Sequence, residues 1–141
     1  MANAYTLTQQ QCIDMLAKWA GAHAGDTYHL HLYKNDYTPV DSTVVGDLVE
    51  CDFTGYAYGF FDPADFATPT WTPYVAETVL SVFVTFTASG SLSAPQTAYG
   101  YWVEDADGNM VWVERWETPF EFNAASVLNM EPALRQKTCR S

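Results

Sequence analysis

His29 and His31, one residue apart, are the side chains in this 141-residue chain whose type and spacing come nearest to a chemical site. On an extended strand, residues i and i+2 face the same way, so both imidazoles would share one face. That arrangement binds a transition metal when His23, an aspartate or a glutamate closes the site as a further ligand. Two ligands are too few on their own, and partly exposed strand histidines are the plainer reading. Asp105-x-Asp107-Gly108 resembles part of a calcium loop, which must bring several oxygens round one cation. The full EF-hand spacing and its closing glutamate are absent and the glycine comes two residues early, so a hairpin turn accounts for the tetrad better. Glu114 and Glu117 have no visible separation that would make them an acid and base pair. Glycine-rich phosphate loops, Gly-x-Ser-x-Gly elbows and His-Glu-x-x-His motifs do not occur. The expectation is a protein that is not an enzyme and uses no cofactor or metal.

Aromatic residues carry the other candidate chemistry. Tyr99, Tyr101, Trp112 and Trp116 are in phase along two segments joined by the Asp107-Gly108 turn, while Trp102, Val111, Val113 and Arg115 fall on the opposite face. Rings on such a ladder would stack on a sugar, anchor a protein interface, or simply form core. Trp71 and Tyr74 lie in a stretch punctuated by Pro63, Pro69 and Pro73, which reads as a long surface loop, and loops carry binding residues more often than strands do.

These residues need elements to hold them. Thr8 and Gln11 have the spacing of a capping box, which predicts a helix to about Ala20 with Ile13, Leu16, Ala17 and Ala20 as its apolar stripe and Cys12 and Trp19 at the edges. Gly21 or Gly25 would end it. Residues 27–33 alternate as a strand with one buried face. The run Lys34-Asn35-Asp36-Tyr37-Thr38-Pro39 is a turn, and Val44, Val45, Leu48 and Val49 fit a short helix or wide turn. Residues 51–61 predict a strand whose glycines mark a bulge or a close neighbouring backbone, and residues 78–88 the clearest β segment, a central strand. Hairpin strands over 98–104 and 110–117 follow, with short strands at 120–123 and 130–137. The fold class predicted is mainly β: an antiparallel β-sandwich or squashed barrel with one N-terminal α-helix. The organisation predicted is a single domain, with a helical segment over 1–25, a β-domain over 26–131 and a basic C-terminal tail over 132–141.

Composition sets further bounds. A chain of this length buries roughly 68–70% of its unfolded surface, enough for one core without staples. Aromatics make up 16% of the residues and charged residues only 16%, against roughly 25% charged in average soluble proteins. That balance suggests a surface partly covered by another chain, the alternative being a monomer with an uncharged polar surface. The net charge of −11 argues against nucleic-acid binding, which needs a concentrated basic face. The bases Arg135, Lys137 and Arg140 gather in the acid-free tail, which would either lie across an acidic neighbour or be a disordered terminus. Cys12, Cys51 and Cys139 are odd in number and far apart, so reduced thiols are expected, with Cys139 able to cross-link to another copy. The N-terminus lacks a basic segment followed by an apolar run, and nothing approaches the ~20 apolar residues of a membrane span, so neither export by a signal peptide nor membrane insertion is expected.

The segment HLYKNDYTPVDSTVVGDLVECDFTGYA, residues 31–57, and the hairpin GYWVEDADGNMVWVERW, residues 100–116, resemble the pattern of small tailed-bacteriophage virion structural proteins, of the capsid-decoration or minor head protein type. The carriers are a leucine-aromatic pair, Lys-Asn-Asp-x-Thr-Pro, a short threonine-containing helix, an acidic residue and Phe-x-Gly-Tyr. The likeness spans about residues 30–116. Where such proteins often place a Gly-Asp turn before the last strand, this chain has Leu128-Asn129-Met130. The resemblance implies a virion component, assembled in the host cytoplasm, that decorates or cements the capsid through contacts with copies of itself and with capsid or other virion proteins. The alternative is a carbohydrate-binding or host-adhesion module of a head fibre or tail. Candidate partner-binding residues on these grounds are Trp71, Tyr74, Trp112, Trp116, Arg135, Lys137, Cys139 and Arg140.

Overall fold

The Thr8 hydroxyl accepts from the Gln11 N–H at 3.2 Å and starts helix α1 (Gln9–Ala22), where the capping spacing placed it. The structure, a computed structural model, describes residues 8–72, 75–89 and 95–137, apart from the side chains of Gln136 and Lys137. After α1 come β1 (Tyr28–Tyr33), β2 (Gly59–Phe61), β3 (Thr70–Thr72), β4 (Val75–Val79), β5 (Val84–Thr87), β6 (Gln96–Glu104), β7 (Met110–Phe122), β8 (Val127–Met130) and β9 (Ala133–Lys137). Every pairing between these strands is antiparallel. The fold is thus mainly β with one helix near the N-terminus, and β-sandwich-like.

The chain divides into two compact units. The first comprises residues 1–26, 62–83 and 131–141, and the second residues 27–61 and 84–130. In the first, β3, β4 and β9 form a sheet in that order, with α1 against it. Cys12 and Leu16, one helical turn apart, are buried with Ala76 of β4, and Ile13, Trp71 and Leu134 pack on this cluster. The buried stripe therefore centres on Cys12 and Leu16, and Ala17 faces solvent, a correction to the predicted stripe. Apolar spacing does not fix the face, because the line along which the sheet meets the helix, through Cys12 and Leu16, is set by β4 and not by the helix sequence. Gly21 lies inside the helix; the chain leaves it at His23 and turns at Gly25, whose φ is 88°.

In the second unit, one sheet has the order β2-β1-β6-β7 and another pairs β5 with β8. Leu30, Leu32, Val103 and Phe122 of this unit are fully buried. β2 approaches β5 so closely that a Cβ on Gly59 would sit 2.2 Å from the Val84 side chain, which leaves room only for glycine. Phe53 stacks on Phe122 at 4.1 Å, and Tyr56 on Phe86 at 6.0 Å.

Several expectations are corrected here. The predicted strand over 78–88 is two strands, β4 in the first unit and β5 in the second. Between them the Ser81 amide and hydroxyl both donate to the Asp65 carbonyl and the Leu80 N–H to that of Pro132, which ends β4 despite continuous β-propensity. Of the predicted strand over 51–61 only β2 forms, with an isolated bridge from Glu50 to Tyr33 just before that range; the residues between leave the sheet in an arch that turns at Gly55, whose φ of 92° a regular strand cannot accommodate, and packs against Thr87 and Ser89. Residues 120–123 are no separate strand, since β7 runs on to Phe122. The turn after β8 splits the predicted strand over 130–137, and part of the supposed tail, Ala133–Lys137, is β9, paired along β4. The predicted loop over 62–74 contains β3, and β1 is covered on both faces rather than one.

The hairpin turn forms as expected. The Asp105 carboxylate accepts from the backbone N–H groups of Asp107 at 3.0 Å and Asn109 at 2.9 Å, so its oxygens serve the turn.

Candidate functional site

The strongest concentration of ring and acid chemistry lies on one face of β1 and β6. Alternation puts His29, His31 and Tyr33 on that face of β1, and antiparallel register brings Trp102 opposite His31 and Glu104 opposite His29. The His31 imidazole lies between two rings: Trp102 at 4.8 Å with planes 9° apart, and Tyr58 at 4.7 Å with planes 29° apart. Only 7% of His31 is exposed.

Both ring nitrogens face carboxylates. Nδ1 is 2.6 Å from Glu50 Oε1, and Nε2 is 3.5 Å from Glu104 Oε2, a distance within ion-pair reach that makes no hydrogen bond. Glu104 is itself held by Trp102, whose indole N–H donates to it at 2.9 Å.

The arch over residues 50–58 supplies the other half of the site. Leaving the sheet costs β1 one rung, and Tyr56 restores it: its hydroxyl accepts from the Leu32 N–H at 3.1 Å and donates to Glu50 at 2.8 Å. Burial holds the Tyr56 phenol well above its usual range, with the nearby Glu50 charge adding to the rise. Burial likewise pushes the Cys51 thiol up to about 12, partly offset by Lys34. Hydrogen bonds from Lys34 and Gln96 hold the exposed Asp52 carboxyl below its ordinary value and tie down the start of the arch. Outside His31, the rings of His29, Tyr58 and Phe60 meet at 5.1 to 5.3 Å, with Phe60 59% exposed.

The residues nominated from sequence lie elsewhere. Trp71 is not on a loop: it sits in β3 opposite Ala76 and is half-buried on the Cys12 and Leu16 cluster. Trp112 and Trp116 are half-buried on the ladder face, where the Trp112 N–H donates to the Tyr101 hydroxyl at 3.2 Å and Trp116 lies 6.3 Å from the Tyr101 ring. Tyr99 is off that ladder, because a bulge between Ala98 and Gly100 shifts the register and leaves it beneath the Arg115 guanidinium and against the Tyr33, Leu48 and Trp102 cluster. Arg135 is in β9 and pairs with Glu77 at 2.5 Å. Tyr74, Cys139 and Arg140 and the side chain of Lys137 lie outside the described residues.

Sequence reasoning found His31 and missed its partners Glu50, Tyr56, Tyr58, Trp102 and Glu104. The placing of Tyr56 and Tyr58 two residues apart was a signal, but only strand register brings them to the histidine. Among the described residues no three of His, Cys, Asp and Glu are set to hold a metal ion, and no helix is long and apolar enough to cross a membrane. The first unit carries an apolar recess of about 250 Å³ against α1, lined without any charged residue. Comparison with family models, with curated proteins and with solved structures finds no match to this chain.

Proposed function

We propose that the chain is a non-enzymatic structural protein of a tailed-phage virion, decorating or cementing the capsid through contacts with its own copies and with capsid proteins. The observation that carries this reading is a run of solvent-facing valines. Val40, Val44, Val45 and Val49 fall within ten residues of the second unit, with Val40 60% and Val44 59% exposed. Single exposed apolar residues need no explanation, whereas a concentrated set does, and a covering partner supplies one. The low charged fraction and the likeness of residues 30–116 to small virion proteins support the same reading.

Mass spectrometry of purified virions tests it. A structural component is present at a fixed, high ratio to the major capsid protein, and trace or absent chain overturns the proposal. Replacing Val44, Val45 and Val49 together with serine is expected to lower incorporation while leaving the circular dichroism spectrum unchanged. The tail is tested by deleting residues 138–141, since a larger truncation would remove part of β9.

A second reading, carbohydrate binding, rests on different rings from those the sequence suggested. Tyr58 and Phe60, 41% and 59% exposed, are open to solvent with their rings 5.3 Å apart, and Tyr58 stacks on His31. Saturable glycan-array binding that Phe60→Ala abolishes would favour it.

A further inference from the structure

His31 has more polar surroundings than one neutral imidazole can satisfy. A neutral ring has one donor and one acceptor, whereas the charged ring has two donors. Here both nitrogens face carboxylates, Glu50 on the arch and Glu104 on β6, and Nε2 is buried without a hydrogen-bond partner. With Nδ1–H given to Glu50, a neutral ring turns a lone pair toward Glu104. A second proton removes that conflict without moving a heavy atom. The charged ring would also lie as a cation between the faces of Tyr58 and Trp102.

Three of these surroundings belong to the arch. Glu50, Tyr56 and Tyr58 all converge on His31 or its immediate neighbours, while the histidine and Trp102 are fixed in the sheet. We propose that His31 is a proton-linked latch that fastens residues 50–58 to β1. With both nitrogens protonated, the ring donates a charge-assisted bond to Glu50, reaches Glu104 and holds the Tyr58 ring by its charge. When Nε2 loses its proton, the bond to Glu50 loses the charge on its donor, Nε2 and Glu104 repel, and the attraction to Tyr58 weakens. The arch then opens more often. The titratable groups facing the ring are His29 on β1, Glu50, Tyr56 and Tyr58 on the arch, and Glu104 on β6. This latch does not depend on the virion reading.

The test follows two signals on the full chain across pH: the His31 side-chain nitrogen resonances, and hydrogen exchange, corrected for intrinsic rate, of the two amides that tie the arch to β1, Cys51 donating to the Leu32 carbonyl and Leu32 donating to the Tyr56 hydroxyl. Expected is a roughly tenfold loss of protection as His31 loses its proton, the scale of one weakened bond to a charged group. His29→Gln keeps that step and His31→Gln lacks it. In Glu104→Gln any displacement of the His31 titration displaces the step by the same amount. Protection that stays flat while His31 titrates overturns the latch. So does a step that persists in His31→Gln, disappears in His29→Gln, or parts from the His31 titration in Glu104→Gln.

Discussion

Trp102 and His31 lie ring on ring, 4.8 Å apart and within 9° of parallel, on neighbouring strands that are paired at these two residues. Trp102 is also part of the buried cluster with Tyr33 and Leu48, so one side chain serves both the core and the site. Trp102→Ala is expected to cost about 3–5 kcal/mol in urea unfolding, the range for a large buried ring. Trp102→Phe keeps a ring over His31 and loses the bond to Glu104, so that bond accounts for about 1 kcal/mol of its cost. Equal losses in both variants would remove the stack as a source of stability.

Gly100 is enclosed by the two strands that flank it. A Cβ there would meet the Glu114 carbonyl oxygen at 2.1 Å and the Tyr33 hydroxyl at 2.7 Å. Because the first obstacle is backbone, it cannot rotate aside, and Gly100→Ala should destabilise by about 3 kcal/mol, the upper end for overpacking. Thermal unfolding followed by circular dichroism measures this.

Alkaline pH should unfold the protein through groups buried in their neutral forms. Burial raises the Cys51 thiol from 9.0 to about 12 and the Tyr33 phenol from 10.0 to about 12. A folded value above the unfolded one means that the stability is fully present below the unfolded value. It is lost as pH rises through the folded value, between about 9 and 12 for these two groups. Cys51→Ala is expected to flatten part of this decline in denaturant titrations. Iodoacetamide at mildly alkaline pH should label unfolded chain at Cys51 far faster than native chain, because the native thiol is both buried and protonated.

Ala125 holds a φ of 63° in the turn before β8, a conformation that an L-residue adopts at a cost of roughly 1–2 kcal/mol. Ala125→Gly relieves this strain and gives back part of the gain through greater freedom in the unfolded chain. The net expectation is a stabilisation of about 0.5 kcal/mol, read as a higher urea midpoint with unchanged slope.

What could be read from the residues were the local features. The Thr8 cap, the alternation of β1 and the Asp107-Gly108 hairpin each depend on a few adjacent residues with their own conformational preferences. Strand ends were not legible where a distant partner decides them. Nothing near Ser81 in sequence announces that the Asp65 carbonyl will take both of its donors and end β4.

Period, caps and turn residues act over short range, and they already dictate a mainly β, antiparallel protein with a helix near the N-terminus. The sequence by itself also placed His29 and His31 on one face. Only the tertiary structure decided what that face meets. Glu50, Tyr58 and Trp102 come from segments far from His31 in the chain, and strand register with one arch between strands brings them round the imidazole. Register depends on the packing of whole faces, which no short stretch of sequence encodes.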